Sequence, residues 1–250
     1  MGEVYACNYL ENVIWRVDYP LDYSLRKEGP ARFQKEVQAL FPKRQEVIEL
    51  KARARPDHES PVELEQSSRL WVFESLDAKK KATLTGAWLG LDCFDYVDYK
   101  SFRDLVEATL AALVKLYEPS VFTRCGLRYV NLVKLKGNPL DWEGYINPAL
   151  TRQLDACGDR QLHISSHRMV LSKDDDWINL RYGVENPDHP EPLAQRWFKL
   201  DIDCYLSRDI SPDEVLKRTD RLHDCVEEMF EESIGESLRT IMKKGECNDG

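Results

Sequence analysis

The chain has 250 residues, 42% of them hydrophobic and 32% charged, and a mass of 29.1 kDa. It is long enough for a sizeable core, and this composition excludes a collagen-like, low-complexity or wholly disordered protein. The net charge of −9 and pI near 5.2 argue against gripping nucleic-acid phosphates as its main work, because that work needs a basic surface. No apolar run approaches the roughly 18–20 residues that span a bilayer. The opening Met1-Gly2-Glu3-Val4-Tyr5 lacks the basic-then-apolar layout of a secretion signal.

In chain order, Asn12 to Tyr19 alternates as a strand, with Val13, Trp15 and Val17 on one face and Ile14 and Arg16 on the other. Pro30 opens a helix whose apolar positions Phe33, Val37, Leu40 and Phe41 fall on one stripe, and Pro42 stops it. Lys51 to Pro61 collects Pro56, Asp57, Ser60 and Pro61 with three cations and reads as a loop, either a solvated connection or a binding loop. Strands are expected over Arg69 to Leu76 and Ala82 to Tyr96. The second carries Gly86 and Gly90, so it holds a bulge or breaks in two.

Tyr99 to Tyr117 is an amphipathic helix closed by Pro119. The second half then reads as a strand from Phe122 to Leu135, a short helix near Pro148 to Leu154, and strands at Gln161–Leu171, Trp177–Glu185 and Trp197–Leu206. Ser211-Pro212-Asp213-Glu214 has the spacing of a capping box and starts a long terminal helix that Gly235 kinks or splits. Each half reads strand, helix, strands, helix, which suggests duplication although residue identity is poor. The fold class is therefore α+β: one domain over 1–250, with possible halves 1–120 and 121–245. A largely antiparallel sheet carries helices on one face. In outline this resembles helix-grip or TATA-binding-protein-like arrangements.

Seven cysteines occur at wide spacings with no C-x-x-C, so neither a zinc ribbon nor a thioredoxin-like motif is indicated. They read as reduced thiols of a cytoplasmic protein, with Cys125 and Cys204 inside strands as small hydrophobes. His163 and His167, read as one strand, stand roughly 13 Å apart, too far to share a metal. No Gly-rich phosphate cradle occurs. Asp92, Asp95 and Asp98 read as a solvated acidic edge, and the Asp141-Trp142-Glu143 loop as either an interface anchor or a tucked aromatic.

The most informative stretch is Arg124-Cys125-Gly126-Leu127-Arg128-Tyr129-Val130-Asn131. As a strand it puts Arg124 and Arg128 on one face and Cys125, Leu127 and Tyr129 on the other. Asp201 and Asp203 alternate against Leu200, Ile202 and Cys204, and Arg181 against Leu180 and Tyr182. If these strands share one sheet, Arg124, Arg128, Arg181, Asp201 and Asp203 line its polar face. Guanidinium forks pair with carboxylates or phosphates, so the face is an internal ion network, a surface for a ligand or partner, or a catalytic site. The candidate set for a ligand or partner is Arg124, Arg128, Tyr129, Asn131, Arg181, Asp201 and Asp203. No catalytic residue and no metal site can be named.

The octad R-x-G-L-R-Y-x-N at 124–131 resembles the mark of a sporadically distributed, uncharacterised prokaryotic family of about 250 residues. Asp201-Ile202-Asp203-Cys204-Tyr205 and Phe230-Glu231-Glu232-Ser233-Ile234 agree with that family's later strand and terminal helix. The start departs from it, with Glu11-Asn12-Val13-Ile14 where members tend to carry a Pro-Pro-x-x-Glu-like opening. The resemblance implies a cytosolic bacterial or archaeal protein from mobile loci such as phage defence or toxin–antitoxin systems, with no established activity. Together with 6 Trp and 11 Tyr, the missing catalytic signatures give the expectation of a non-enzymatic binding protein with a protein partner and no cofactor. The alternative is a sensor of small molecules or nucleotides, or a phosphoester-handling enzyme, that takes a small anionic ligand on the Arg/Asp face.

Overall fold

The structure, a computed structural model, describes residues 5–22, 25, 29–54 and 62–247. Nine strands form an antiparallel sheet: β1 (Leu10–Asp18), β2 (Lys43–Ala54), β3 (Val62–Glu74), β4 (Lys80–Leu84), β5 (Trp88–Cys93), β6 (Arg124–Leu135), β7 (His167–Lys173), β8 (Asp176–Glu185) and β9 (Arg196–Leu206). Their order in the sheet is β2-β3-β4-β5-β1-β6-β9-β8-β7. The α-helices described by the structure are α1 (Ala31–Val37), α2 (Tyr99–Tyr117), α3 (Val215–Ser233) and α4 (Glu236–Lys244). The fold is α+β, as the alternation of apolar residues implied.

The same connectivity occurs twice. In each half the first strand, β1 or β6, is flanked by the last strand of an antiparallel meander, β5 or β9. The rest of the meander steps outward, and a 19-residue helix follows, α2 or α3. The chain packs as two compact units, residues 14–125 with 208–216, and residues 1–13 with 126–207 and 217–250. The first has a core of Trp15, Val17, Phe33, Phe73, Leu89 and Leu113, with the Phe33 ring 5.3 Å from Phe73. The second is built around Leu127, Val133, Phe198, Ile202, Val226 and Leu238. In both, every second residue of the inner strands is buried beneath a helix, which is how a half-covered sheet gains its hydrophobic stabilisation.

Local signals explain the boundaries. Asp98 caps α2 by accepting from the Ser101 backbone N–H, and the Ser211/Glu214 capping box is formed ahead of α3. Gly235 separates α3 from α4, and no other residue fits there: an added Cβ would lie 2.1 Å from the Gly144 carbonyl oxygen. Gly183 in β8 has φ +151°, and a Cβ would meet the Ser165 carbonyl oxygen at 1.8 Å.

Several expectations are corrected. The run Ala82–Tyr96 is two strands, β4 and β5, split at Thr85-Gly86-Ala87, where the Thr85 hydroxyl accepts from the Ala87 and Trp88 N–H groups. β7 begins at His167 rather than Gln161. The preceding segment is held by the Asn186 side-chain amide, which donates to the His163 carbonyl. Lys51–Ala54, expected in a loop, belongs to β2, and residues 55–61 lie outside the described residues. β2 hid because it is an edge strand, polar on both sides over Lys43–Glu46. Cys7 and Cys247 are joined by a disulfide, against the expectation of seven reduced thiols. Their 240-residue separation gives no sequence signal, because the pair meets only when the segment before β1 hydrogen-bonds the end of α4 through Ala6 N–H to the Met242 carbonyl.

A cross-link that closes so long a loop removes much denatured-state entropy. Replacing Cys7 with Ser is expected to lower the unfolding free energy in urea by about 2–4 kcal/mol, with dithiothreitol lowering the wild type equally. Identical midpoints with and without reductant would show that the bond contributes nothing.

Candidate functional site

The strand register builds the polar face row by row. Cross-strand partners share a face, and β7, β8 and β9 align Arg168 with Arg181 and Arg181 with Asp201. The next row is Val170, Asn179 and Asp203, and the one after it Ser172, Trp177 and Tyr205. From β6, Arg128 reaches into the first row and forks Asp201, Nε to Oδ1 and Nη2 to Oδ2, both at 2.6 Å. Arg181 adds its Nη1 to Asp201 Oδ2 at 3.3 Å. The Asp201 side chain is 2% exposed, whereas those of Arg128 and Arg181 are 33% and 41% exposed. A buried carboxylate is tolerated because both oxygens accept charge-assisted hydrogen bonds.

Arg168 is exposed, and its Nε donates to the Asn179 amide oxygen at 2.8 Å. The register sets it directly opposite Arg181, so two arginines face one another across β7 and β8, one bonded to an amide and the other to Asp201, and like charges on directly opposed residues repel. Two rows away, Trp177 is 44% exposed and stacks on Tyr205 at 6.5 Å with the rings 13° apart. At the other end of β9, Lys134 Nζ lies 4.6 Å from the Trp197 ring centroid, and Lys199 pairs with Glu185 at 3.4 Å. The face thus combines forked cations with flat aromatic surfaces.

Of the residues singled out from sequence, Arg128, Arg181 and Asp201 converge in one cluster. Asp203 lies on the same face in the neighbouring row, half-buried. Arg124 opens β6 on the same side of the strand as Arg128, also half-buried. Tyr129 and Asn131 fall on the opposite, helix-covered side. Asn131 is buried and donates to the Leu200 carbonyl at 3.3 Å. Sequence reasoning missed Arg168. It lies within the expected strand Gln161–Leu171, but its position opposite Arg181 depends on the Asp174-Asp175 turn setting the register.

Tyr129 belongs to a second polar chain beneath α3. Its hydroxyl lies 3.1 Å from His223 Nδ1, and His223 Nε2 lies 3.2 Å from Glu227 Oε1. The imidazole thus bridges β6 to α3 through one ring nitrogen and hydrogen-bonds Glu227 through the other. That hydrogen bond holds the Glu227 carboxyl below its ordinary value near 4.5.

The other candidates have local roles. Trp142 is buried and donates from Nε1 to the Pro139 carbonyl, while Arg196 lies between the Trp142 and Tyr145 rings at 5.3 and 4.6 Å. Asp95 pairs with Lys80, and Asp98 is the α2 cap. His163 bonds the Pro190 carbonyl and His167 the Ser165 hydroxyl. Among the described residues no group of three His, Cys, Asp or Glu side chains is placed to hold a metal ion. No helix among them is long and apolar enough to cross a membrane. Compared with known proteins, the chain matches no family model and no curated protein.

Two measurements follow from this geometry. Arg128→Met leaves Asp201 with Arg181 alone and is expected to cost about 2–4 kcal/mol in urea unfolding, with the Arg128→Met/Asp201→Asn double variant recovering part of the loss. A loss below about 0.5 kcal/mol would class the pair with ordinary surface ion pairs. The folded-state pKa of Glu227 lies below its unfolded value. Its stabilisation is therefore complete above the ordinary glutamate range and disappears as pH falls through the lower folded value. Glu227→Gln is expected to lower Tm at pH 7 and to flatten the acid limb of a Tm-against-pH curve. An unchanged acid limb would contradict the assignment.

Proposed function

We propose that this protein is a non-enzymatic binding module that docks an acidic segment of a partner protein on the open face of β6, β9, β8 and β7. The observation that carries the reading is Arg168 set directly opposite Arg181, with Arg168 exposed and bonded to a neutral amide. A carboxylate or phosphate bridging the two guanidinium groups would relieve their repulsion and take up forked hydrogen bonds. The flanking residues suit a protein partner, because Trp, Tyr and Arg are the side chains enriched where binding energy concentrates. Trp177, Tyr205 and Arg181 lie within two rows of one another. The net charge of −9 is no obstacle, because docking depends on the local field of the patch. The resemblance of the 124–131 octad supports placing the partner among other components of a defence or toxin–antitoxin type system.

The stacked Trp177–Tyr205 pair beside the arginine row also favours a second reading, in which a nucleotide phosphate takes the guanidinium groups and its base an aromatic ring. A fluorescein-labelled peptide of alternating Asp and Glu, titrated by anisotropy at low salt, separates the two. Saturable binding is expected, weakening with salt and falling about tenfold or more in Arg168→Gln/Arg181→Gln. Displacement by ATP, in a titration where ATP binds more tightly than the peptide, would favour the nucleotide. Peptide binding that is absent, or equal in the double variant, overturns the proposal.

A further inference from the structure

On the helix-covered side of β9, away from the arginine row, Cys204 meets Cys225 of α3 with the two sulfurs 3.2 Å apart. Both lie within the unit of residues 126–207 and 217–250. Cys204 is fully buried, whereas Cys225 is half-buried and therefore reachable by a small solute. Closing a disulfide from this contact shortens the separation by about 1.1 Å, a movement within the reach of side-chain torsions. The other free cysteines differ: Cys93 and Cys125 are buried, and Cys157 sits in the 3-10 segment Arg152–Cys157.

We propose that Cys204 and Cys225 form a peroxide-reactive dithiol, in which Cys225 is oxidised first and Cys204 resolves it to a disulfide. The Cys225 thiolate sulfur attacks one oxygen of hydrogen peroxide. An S–O bond forms, the O–O bond breaks, and the departing hydroxide takes up a proton to become water. The Cys204 sulfur then loses its proton and attacks Cys225 Sγ. The S–S bond forms as the S–O bond breaks, and a second water leaves. Two thiols give up two electrons, and one peroxide is reduced to two waters.

The order of events follows from the surroundings. The Cys204 thiol donates to Cys225 Sγ, which pulls the Cys225 thiol below its ordinary value and pushes Cys204 well above it. Lys173 favours the Cys225 thiolate, while burial, Asp176 and Glu228 oppose it. Asp203 and Asp176 add to the rise at Cys204. The half-buried partner is thus the first to react and the fully buried one the resolving thiol. The bond ties α3 to the strand that carries Asp201.

Trypsin separates the two cysteines cleanly, with Cys204 in Leu200–Arg208 and Cys225 in Leu222–Arg239. The full-length protein is treated with hydrogen peroxide, alkylated, digested without reductant and read by mass spectrometry. The linked pair of peptides is expected as the major form of both, and it disappears after dithiothreitol. In Cys204→Ala, Cys225 is expected to persist as a sulfenic acid that dimedone labels several-fold more than in the wild type. Peptides that stay unlinked, Cys225 passing straight to sulfinic acid, or Cys157 reacting first would each overturn the proposal in the wild type alone, whatever the folding of the variant.

Discussion

Asp201 is the fixed point of the second half of the molecule. A carboxylate with 2% exposure is sustainable only if its charge is answered, and here two arginines from different strands answer it. That requirement ties β6, β9 and β8 together on the side of the sheet away from α3. It also determines what the face can do. Both oxygens of Asp201 are taken, so the carboxylate itself has little left to offer an incoming ligand. The Arg128 and Arg181 side chains remain 33% and 41% exposed, and Arg168 stands across from Arg181 on β7. An acid at the centre of the row thus serves to hold cations in place.

The octad at 124–131 shows how one strand serves two layers. Alternation sends Arg128 to the open side and Tyr129 to the helix side. Tyr129 then helps seat α3 through His223 and Glu227, while Arg128 orders the sheet face. Substitutions at neighbouring positions should therefore act on different layers: on helix docking at Tyr129 and on the ion row at Arg128.

Much of this was legible because the inner strands obey a strict period of two. In β9, Phe198, Leu200, Ile202 and Cys204 mark one face and Lys199, Asp201 and Asp203 the other, so Arg128, Arg181 and Asp201 could be placed on one polar face once their strands were taken to share a sheet. What escaped depends on geometry that alternation does not carry. β2 lies at the sheet edge and has no buried side to leave a period over Lys43–Glu46. Arg168 needs a register, which the turn at Asp174-Asp175 sets rather than its own strand. The Cys7–Cys247 bond needs the two ends of the chain to meet, and the break at Thr85 rests on a side-chain hydroxyl that replaces ladder bonds. Side chains that answer to one strand were readable, and contacts that answer to tertiary closure were not.

The repeated connectivity gives a comparison internal to the chain. On the first strand of the first half, Arg16 lies 4.4 Å from the Trp88 ring centroid of β5 and forks Asp18 on its own strand, with Nε to Oδ1 at 2.6 Å. On the first strand of the second half, Arg128 turns to the corresponding neighbour, β9, and finds a carboxylate. The architectural position is the same, but the consequence differs. Arg16 is neutralised by a residue two places away and sits over an aromatic face, so it adds little net field. Arg128 shares its carboxylate with Arg181, and Arg168 stands beyond, so cations outnumber anions along that row. The two halves thus carry an arginine on the same strand of the repeated pattern and answer it differently, from its own strand in the first and from the neighbouring strand in the second.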